Sequence, residues 1–133
     1  MTANEQASRL RQRILQQSEW LTRSVQVVVG RSGLLAGSLY ERRKRCGKAG
    51  CRCNRGGLHR GMVLAVRQRG RSYWVSLAGL DKQELARLVN HWKQFRRART
   101  EMIRTFKDIL ATTDRLGKLR QIDPGQLRRM AQK

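Results

Sequence analysis

Aromatic side chains are scarce. Phe, Trp and Tyr make up 5% of the 133 residues, whereas 29% are charged. A single compact core deep enough to hide most side chains is hard to build from this material, so the apolar surface is expected in stripes. Acidic residues are also few, 9 against 30 basic ones. They are scattered, and no pair suggests metal-assisted phosphodiester chemistry or general acid–base work. There is no Gly-x-Ser-x-Gly turn, no credible Ser-His-Asp or Cys-His-Asn set, and no Gly-rich loop ending in Gly-Lys-Ser/Thr. The expectation is therefore a protein that is not an enzyme, with a cysteine nucleophile within Cys51-Arg52-Cys53 as the one catalytic alternative. Nowhere do 18 apolar residues follow one another, and the opening MTANEQASRLRQRILQQ has no apolar run of the signal-peptide type. A cytoplasmic protein with no membrane partner is expected.

What is abundant is positive charge. The formal net charge is +21, far beyond what solubility requires. Clustered Lys and Arg attract phosphates and release condensed counterions, so nucleic acid is the natural partner. A solvated cationic face and an anionic membrane are the lesser readings; no segment pairs a bulky aromatic face with a basic one, as a membrane-surface helix would.

Along the chain, the spacing of Leu10, Ile14, Leu21, Val25 and Val28 predicts a helix from about Ala3 to Val29, forming with a following turn a segment 1–36. The β-branched run Val25–Val29 leaves open a stop near Ser24 and a strand after it. A second segment, 37–80, holds the cysteines and a hairpin. There Met62, Leu64 and Val66 alternate, as do Tyr73, Val75 and Leu77, with Arg69-Gly70 between the two runs. These six should share one face; Val63, Ala65, Arg67, Trp74 and Ser76 should share the other, which is the better placed to meet a ligand.

A long helix, 81–117, opens on Asp81 as cap with Glu84 in capping-box position. Leu85, Leu88, Trp92, Phe95, Met102, Phe106, Ile109 and Leu116 then trace a heptad seam, interrupted by Arg99 and Thr113. Such a seam must be covered by the N-terminal helix, by a second copy in a homodimer, or by both. A short helix within 118–133 follows, capped by Asp123 with Pro124 as its first residue. The fold class expected is mainly α with a small β-hairpin: long coiled-coil-like helices carrying a metal-stapled basic loop.

All three cysteines lie within eight positions, followed by one of the two histidines, in the order Cys46, Cys51, Cys53, His59. In a reducing compartment such a cluster more often holds metal than a structural disulfide. Three thiolates and an imidazole are donors that Zn2+ takes in closed, tetrahedral structural sites. Glycines at 47, 50, 56 and 57 let the backbone bend around an ion. Lys48, Arg52 and Arg55 favour the thiolates. A loop rich in glycine and arginine has nothing apolar to fold around, and a bound metal can contribute on the order of 10 kcal/mol to such a module. Free cysteines, a redox dithiol, and completion by His91 or another chain are the alternatives.

From Arg42 to Leu80 there are eleven basic residues and no acidic one. Arg42, Arg43, Lys44 and Arg45 enter the cysteine loop, Lys48, Arg52, Arg55 and Arg60 line it, and Arg67, Arg69 and Arg71 project from the hairpin tip. Phosphate contacts are expected here, DNA being favoured over RNA, with Arg69 or Arg71 reaching base edges or a minor groove. Tyr73 and Trp74 could stack on unpaired bases, which would favour single strands, but that reading is set aside: Tyr73 falls on the core face, and Trp74 is divided evenly between core and nucleic-acid contact.

The stretch Gly37–His59, GSLYERRKRCGKAGCRCNRGGLH, resembles a bacterial and phage family of small basic proteins marked by Gly-Ser-Leu-Tyr, then Arg-Cys-Gly-Lys-x-x-Cys-x-Cys, then Leu-His. In that family the motif precedes a hairpin and a long charged helix, so the likeness spans roughly 37–116. The resemblance implies an accessory of phages, transposons and related elements in a bacterial, nucleoid-associated setting; joined to the basic block, it leads to the expectation of a DNA-binding accessory of a recombinase or transposase. After His59 the family favours Gly-Pro-Tyr-Tyr, where this chain has Arg60-Gly61-Met62-Val63. An RNA-binding subunit of a ribonucleoprotein and a coiled-coil protein adaptor are the alternatives.

Overall fold

The structure, a computed structural model, describes residues 1–132. It contains helix α1 (Ala3–Val28), strands β1 (Gly37–Lys44), β2 (His59–Gln68) and β3 (Arg71–Ser76), helix α2 (Lys82–Arg120) and helix α3 (Pro124–Ala131), with one 3-10 turn at Arg52–Arg55. The fold is mainly α with a small antiparallel sheet. The chain gathers into two compact units: Met1–Gly30 together with the chain from Arg96 onward, and Arg31–Phe95. No helix among the described residues is long and apolar enough to cross a membrane.

The first unit is helical. At the start of α1, Thr2 Oγ1 accepts from the Glu5 amide at 3.2 Å, while the Thr2 amide donates to the Glu5 carboxylate at 2.9 Å, a complete capping box. Burial then falls at Ala7, Leu10 and Gln17 with Ile14 half-buried, a spacing of three and four that continues through Leu21, Val25 and Val28. This is why the β-branched run stays helical and forms no strand. Each β-branched residue costs only a few tenths of a kcal/mol in a helix, less than a shared apolar stripe returns. Ala7, Leu10 and Ile14 pack against Leu116, near the end of α2.

On α2 the buried register in this unit is Ala98, Met102, Thr105, Ile109, Thr112 and Leu116. The expected seam position Phe106 is 53% exposed, because the register passes through its neighbour Thr105. Small and hydroxyl side chains keep the stripe where the apolar pattern breaks; Thr112 donates to the Asp108 carbonyl at 2.9 Å and so carries no unpaired hydroxyl. Gln17 is 1% exposed, and its Oε1 finds no hydrogen-bond partner among the described residues. α3 begins as its sequence predicts, with Pro124 first and the Asp123 amide donating to Gln126 Oε1 at 3.0 Å.

The second unit is built on a meander, β1-β2-β3. The hairpin read from the sequence gains a third strand: β1 pairs antiparallel with β2 from Gly37 opposite Val66 to Lys44 opposite His59. That strand is hard to foresee, since Leu39 is the one β1 side chain packed against the core. β2 and β3 are joined by Arg69-Gly70 with φ of 50° and 78°. Two successive positive φ values match the twist of the flanking strands, as in the favoured two-residue hairpin turn.

One face of the sheet carries the core. Leu64, Leu77 and Val89 are buried together, with Leu35, Leu39, Val66 and Leu85 packed around them. The start of α2 supplies Leu85 and Val89, and Leu88 holds the incoming chain by accepting from the Leu35 amide at 3.1 Å. Truncating Leu64 to Ala would cost about 2–5 kcal/mol here. Seam residues Trp92 and Phe95 are half-buried and stack, with ring centroids 5.9 Å apart. Asp81 Oδ1 accepts from the amides of Gln83 and Glu84, but Glu84 does not reach back; its carboxylate is taken by Arg87 at 2.6 Å.

Candidate metal centre and the basic sheet

Residues 45–58 form the connection between β1 and β2, so the cysteine cluster closes a hairpin. The Cys51 amide donates to the Lys48 carbonyl at 3.2 Å, and the 3-10 turn brings the Asn54 amide to the Cys51 carbonyl at 3.2 Å. Gly47 and Gly56, at φ of 82° and 98°, supply the left-handed bends on either side. The Asn54 side-chain amide donates to the carbonyls of Lys48 and Ala49 at 2.9 and 3.1 Å, tying the two arms of the loop together. That clamp escapes sequence reasoning, which scans for ligands and charge.

The result is a convergence of donors. The ligand atoms of Cys46, Cys51, Cys53 and His59 all lie within 4.8 Å of one another. Cys46 Sγ is 3.6 Å from Cys53 Sγ, and Cys51 Sγ is 3.0 Å from His59 Nε2. Bond lengths of about 2.3 Å to sulfur and 2.0–2.1 Å to nitrogen put the edges of a tetrahedral site at roughly 3.6–3.8 Å. The Cys46–Cys53 separation matches such an edge and the Cys51–His59 separation is shorter; the four side chains lie close enough together that they could hold a metal ion. His91 is not in the group.

Burial grades across the cluster, with Cys53 fully buried, Cys51 half-buried and Cys46 exposed. The Cys51 thiol is lowered to about 6, first by the backbone N–H of Cys53 and then by His59. The Lys48 backbone N–H pulls the Cys46 thiol down, but desolvation and the neighbouring Cys51 and Cys53 thiols outweigh it and raise Cys46. One sulfur is thus already a thiolate near neutral pH, the form that binds metal.

The strand register sorts the basic residues. Arg43 and Arg60 lie opposite each other, on the same face as Glu41, which approaches them at 3.9 and 3.5 Å. The opposite, outer face takes Tyr40, Arg42 and Lys44 from β1, His59, Gly61, Val63, Ala65 and Arg67 from β2, and Ser72, Trp74 and Ser76 from β3. No carboxylate stands on it. Arg42 is half-buried, its guanidinium 4.5 Å from the centroid of the Trp74 ring. Arg45, Lys48, Arg52 and Arg55 are exposed on the cysteine loop, and Arg69 and Arg71 at the far hairpin tip. Tyr73, read as core, is 46% exposed because β3 is an edge strand. Tyr40 joins the outer face without having been anticipated; its alternation with Arg42 and Lys44 is the signal that would have placed it.

No protein-family model, no curated protein and no solved structure matches this chain.

Proposed function

We infer that the protein is a non-enzymatic, zinc-containing nucleic-acid-binding protein whose preferred ligand is DNA. The observation that carries this reading is the segregation of charge. A sheet face and a loop bearing Arg42, Lys44, Arg45, Lys48, Arg52, Arg55 and Arg67 hold no carboxylate, within a block of eleven basic residues. Such a surface neutralises phosphates and gains affinity from released counterions.

Zn2+ is the metal the donor set favours: three thiolates and an imidazole suit a borderline-soft ion in a closed site. Cys46, Cys51, Cys53 and His59 would hold it, and its contribution is structural. It fixes the β1–β2 connection, so that a strongly cationic loop keeps one shape. Pairing of long helices from two copies is part of this reading, supported by Ile103, Phe106 and Leu110, which stand 43–53% exposed at helical spacing on α2. Two copies would double the phosphate contacts. An accessory role beside a recombinase or transposase is the setting in which such a DNA-holding protein would serve.

The test is a salt series of dissociation constants for duplex DNA and structured RNA of equal length. Neutralising several phosphates predicts affinity falling by at least tenfold between 50 and 200 mM salt, with DNA the tighter ligand. A tenfold preference for RNA would move the reading to an RNA-binding subunit.

A further inference from the structure

The outer face of the sheet combines features that phosphate neutralisation alone does not explain. Trp74 stands 61% exposed on the edge strand β3, with Val63 on β2 and Tyr40 on β1 sharing its face. A purely electrostatic surface has no use for a bare indole. The sheet presents the ring on a rigid strand rather than a loop, and the Arg42 guanidinium lies over it at 4.5 Å. Arginine and aromatic planes in this arrangement are what an unpaired base stacks upon.

A second feature lies beside the first. Gly61 faces Arg42 across the ladder, and a Cβ built at Gly61 would meet nothing within 4 Å. Its missing side chain opens a shallow depression of about 90 Å3, lined by Arg42, Lys44, His59, Arg60, Gly61 and Val63. Its charged walls are all cationic. Arg60 is engaged by Glu41 at 3.5 Å, leaving Arg42 and Lys44 as the lining cations with no ion pair among the described residues. Arg42 belongs to both features: it lines the depression and covers the indole. One side chain therefore links a place for a base to a place for that nucleotide's phosphate.

We propose that this face is a site for single-stranded DNA, in which Trp74 stacks an unpaired base while Arg42 and Lys44 hold the adjoining phosphate. Duplex DNA cannot satisfy it, because paired bases keep their faces inside the stack. The same protein then holds duplex DNA through its loop and hairpin-tip cations and an exposed strand through its sheet, which suits DNA that is partly opened. The inference rests on the nucleic-acid reading above and specifies its ligand.

The experiment uses the zinc-loaded full chain, a fluorescein-labelled 20-nucleotide oligothymidylate and a 20-base-pair duplex at one salt concentration. Trp74→Ala should weaken oligothymidylate binding by between roughly five- and a hundredfold and leave duplex binding within about twofold. Trp74→Phe should keep most of the single-strand affinity, since stacking survives. Gly61→Val, which fills the depression, should also weaken the single strand selectively. If Trp74→Ala weakens neither ligand, or both alike, the stacking site is overturned while the nucleic-acid reading stands. If the unaltered chain binds neither ligand, both fall together.

Discussion

Lys44 and His59 form the last pair of the β1–β2 ladder, and His59 Nε2 reaches across to Cys51 Sγ at 3.0 Å. A donor of the candidate metal cluster is thus also a residue of the sheet. An ion held there clamps the open end of a hairpin whose connection is fourteen residues long, 45–58. Closing a loop of that length costs entropy that neither glycine nor arginine repays by burial. The cluster supplies what the composition withholds.

Cys53 is the most telling ligand to remove. It is fully buried, contacts Cys46 Sγ at 3.6 Å and accepts from the Cys46 amide at 3.5 Å. Loss of a partner that merely orients a ligand costs roughly 10–100-fold in metal affinity, so Cys53→Ala should cost at least about a hundredfold. Competition with a chromophoric chelator measures this. Affinity unchanged within threefold would mean that Cys53 is a core residue and no ligand.

How much of this was legible beforehand depends on what each element rests on. The convergence of Cys46, Cys51, Cys53 and His59 was readable because donors must be close in sequence when one short loop supplies them all. The β2–β3 register was readable because Leu64, Val66, Tyr73 and Val75 alternate around Arg69-Gly70. β1 was not, since its residues Glu41, Arg42, Arg43 and Lys44 spell charge, and its partner strand begins fifteen positions later. The long helix was placed to within a few residues. Of its seam residues Leu85, Leu88, Trp92, Phe95, Met102, Ile109 and Leu116 are buried or half-buried and only Phe106 is exposed; what apolar counting missed is that Ala98, Thr105 and Thr112 fill the register beside Arg99, Phe106 and Thr113. Nor could the sequence tell that Glu84 would leave Asp81 for Arg87.

The thiols of the metal-free, reduced chain should titrate apart. Cys51 is depressed to about 6 from the ordinary 9.0, and Cys46 is raised above it. A depressed acid contributes stability that is present in full above its unfolded value and is lost as the pH falls through its folded one. The metal-free loop should therefore loosen between pH 9 and 6, and be least protected below 6. Iodoacetamide labelling with peptide mapping should find the Cys51 rate half-maximal near pH 6 and that of Cys46 above pH 9. Coincident midpoints near 9 would show that the loop does not hold this arrangement without metal.

Gln17 tests the helical unit. Its buried Oε1 has no partner, and leaving an acceptor so costs about 1–3 kcal/mol. Gln17→Leu should raise the thermal midpoint by several degrees. A lowered midpoint would show that Gln17 is satisfied and stabilising.

The most direct measurement is the metal content of the chain expressed and purified without added zinc, read by native mass spectrometry before and after a strong chelator. One zinc per chain is predicted, lost on chelation together with protection of residues 45–58 from protease. A metal-free chain whose loop is ordered, and stays so in chelator, would contradict the account.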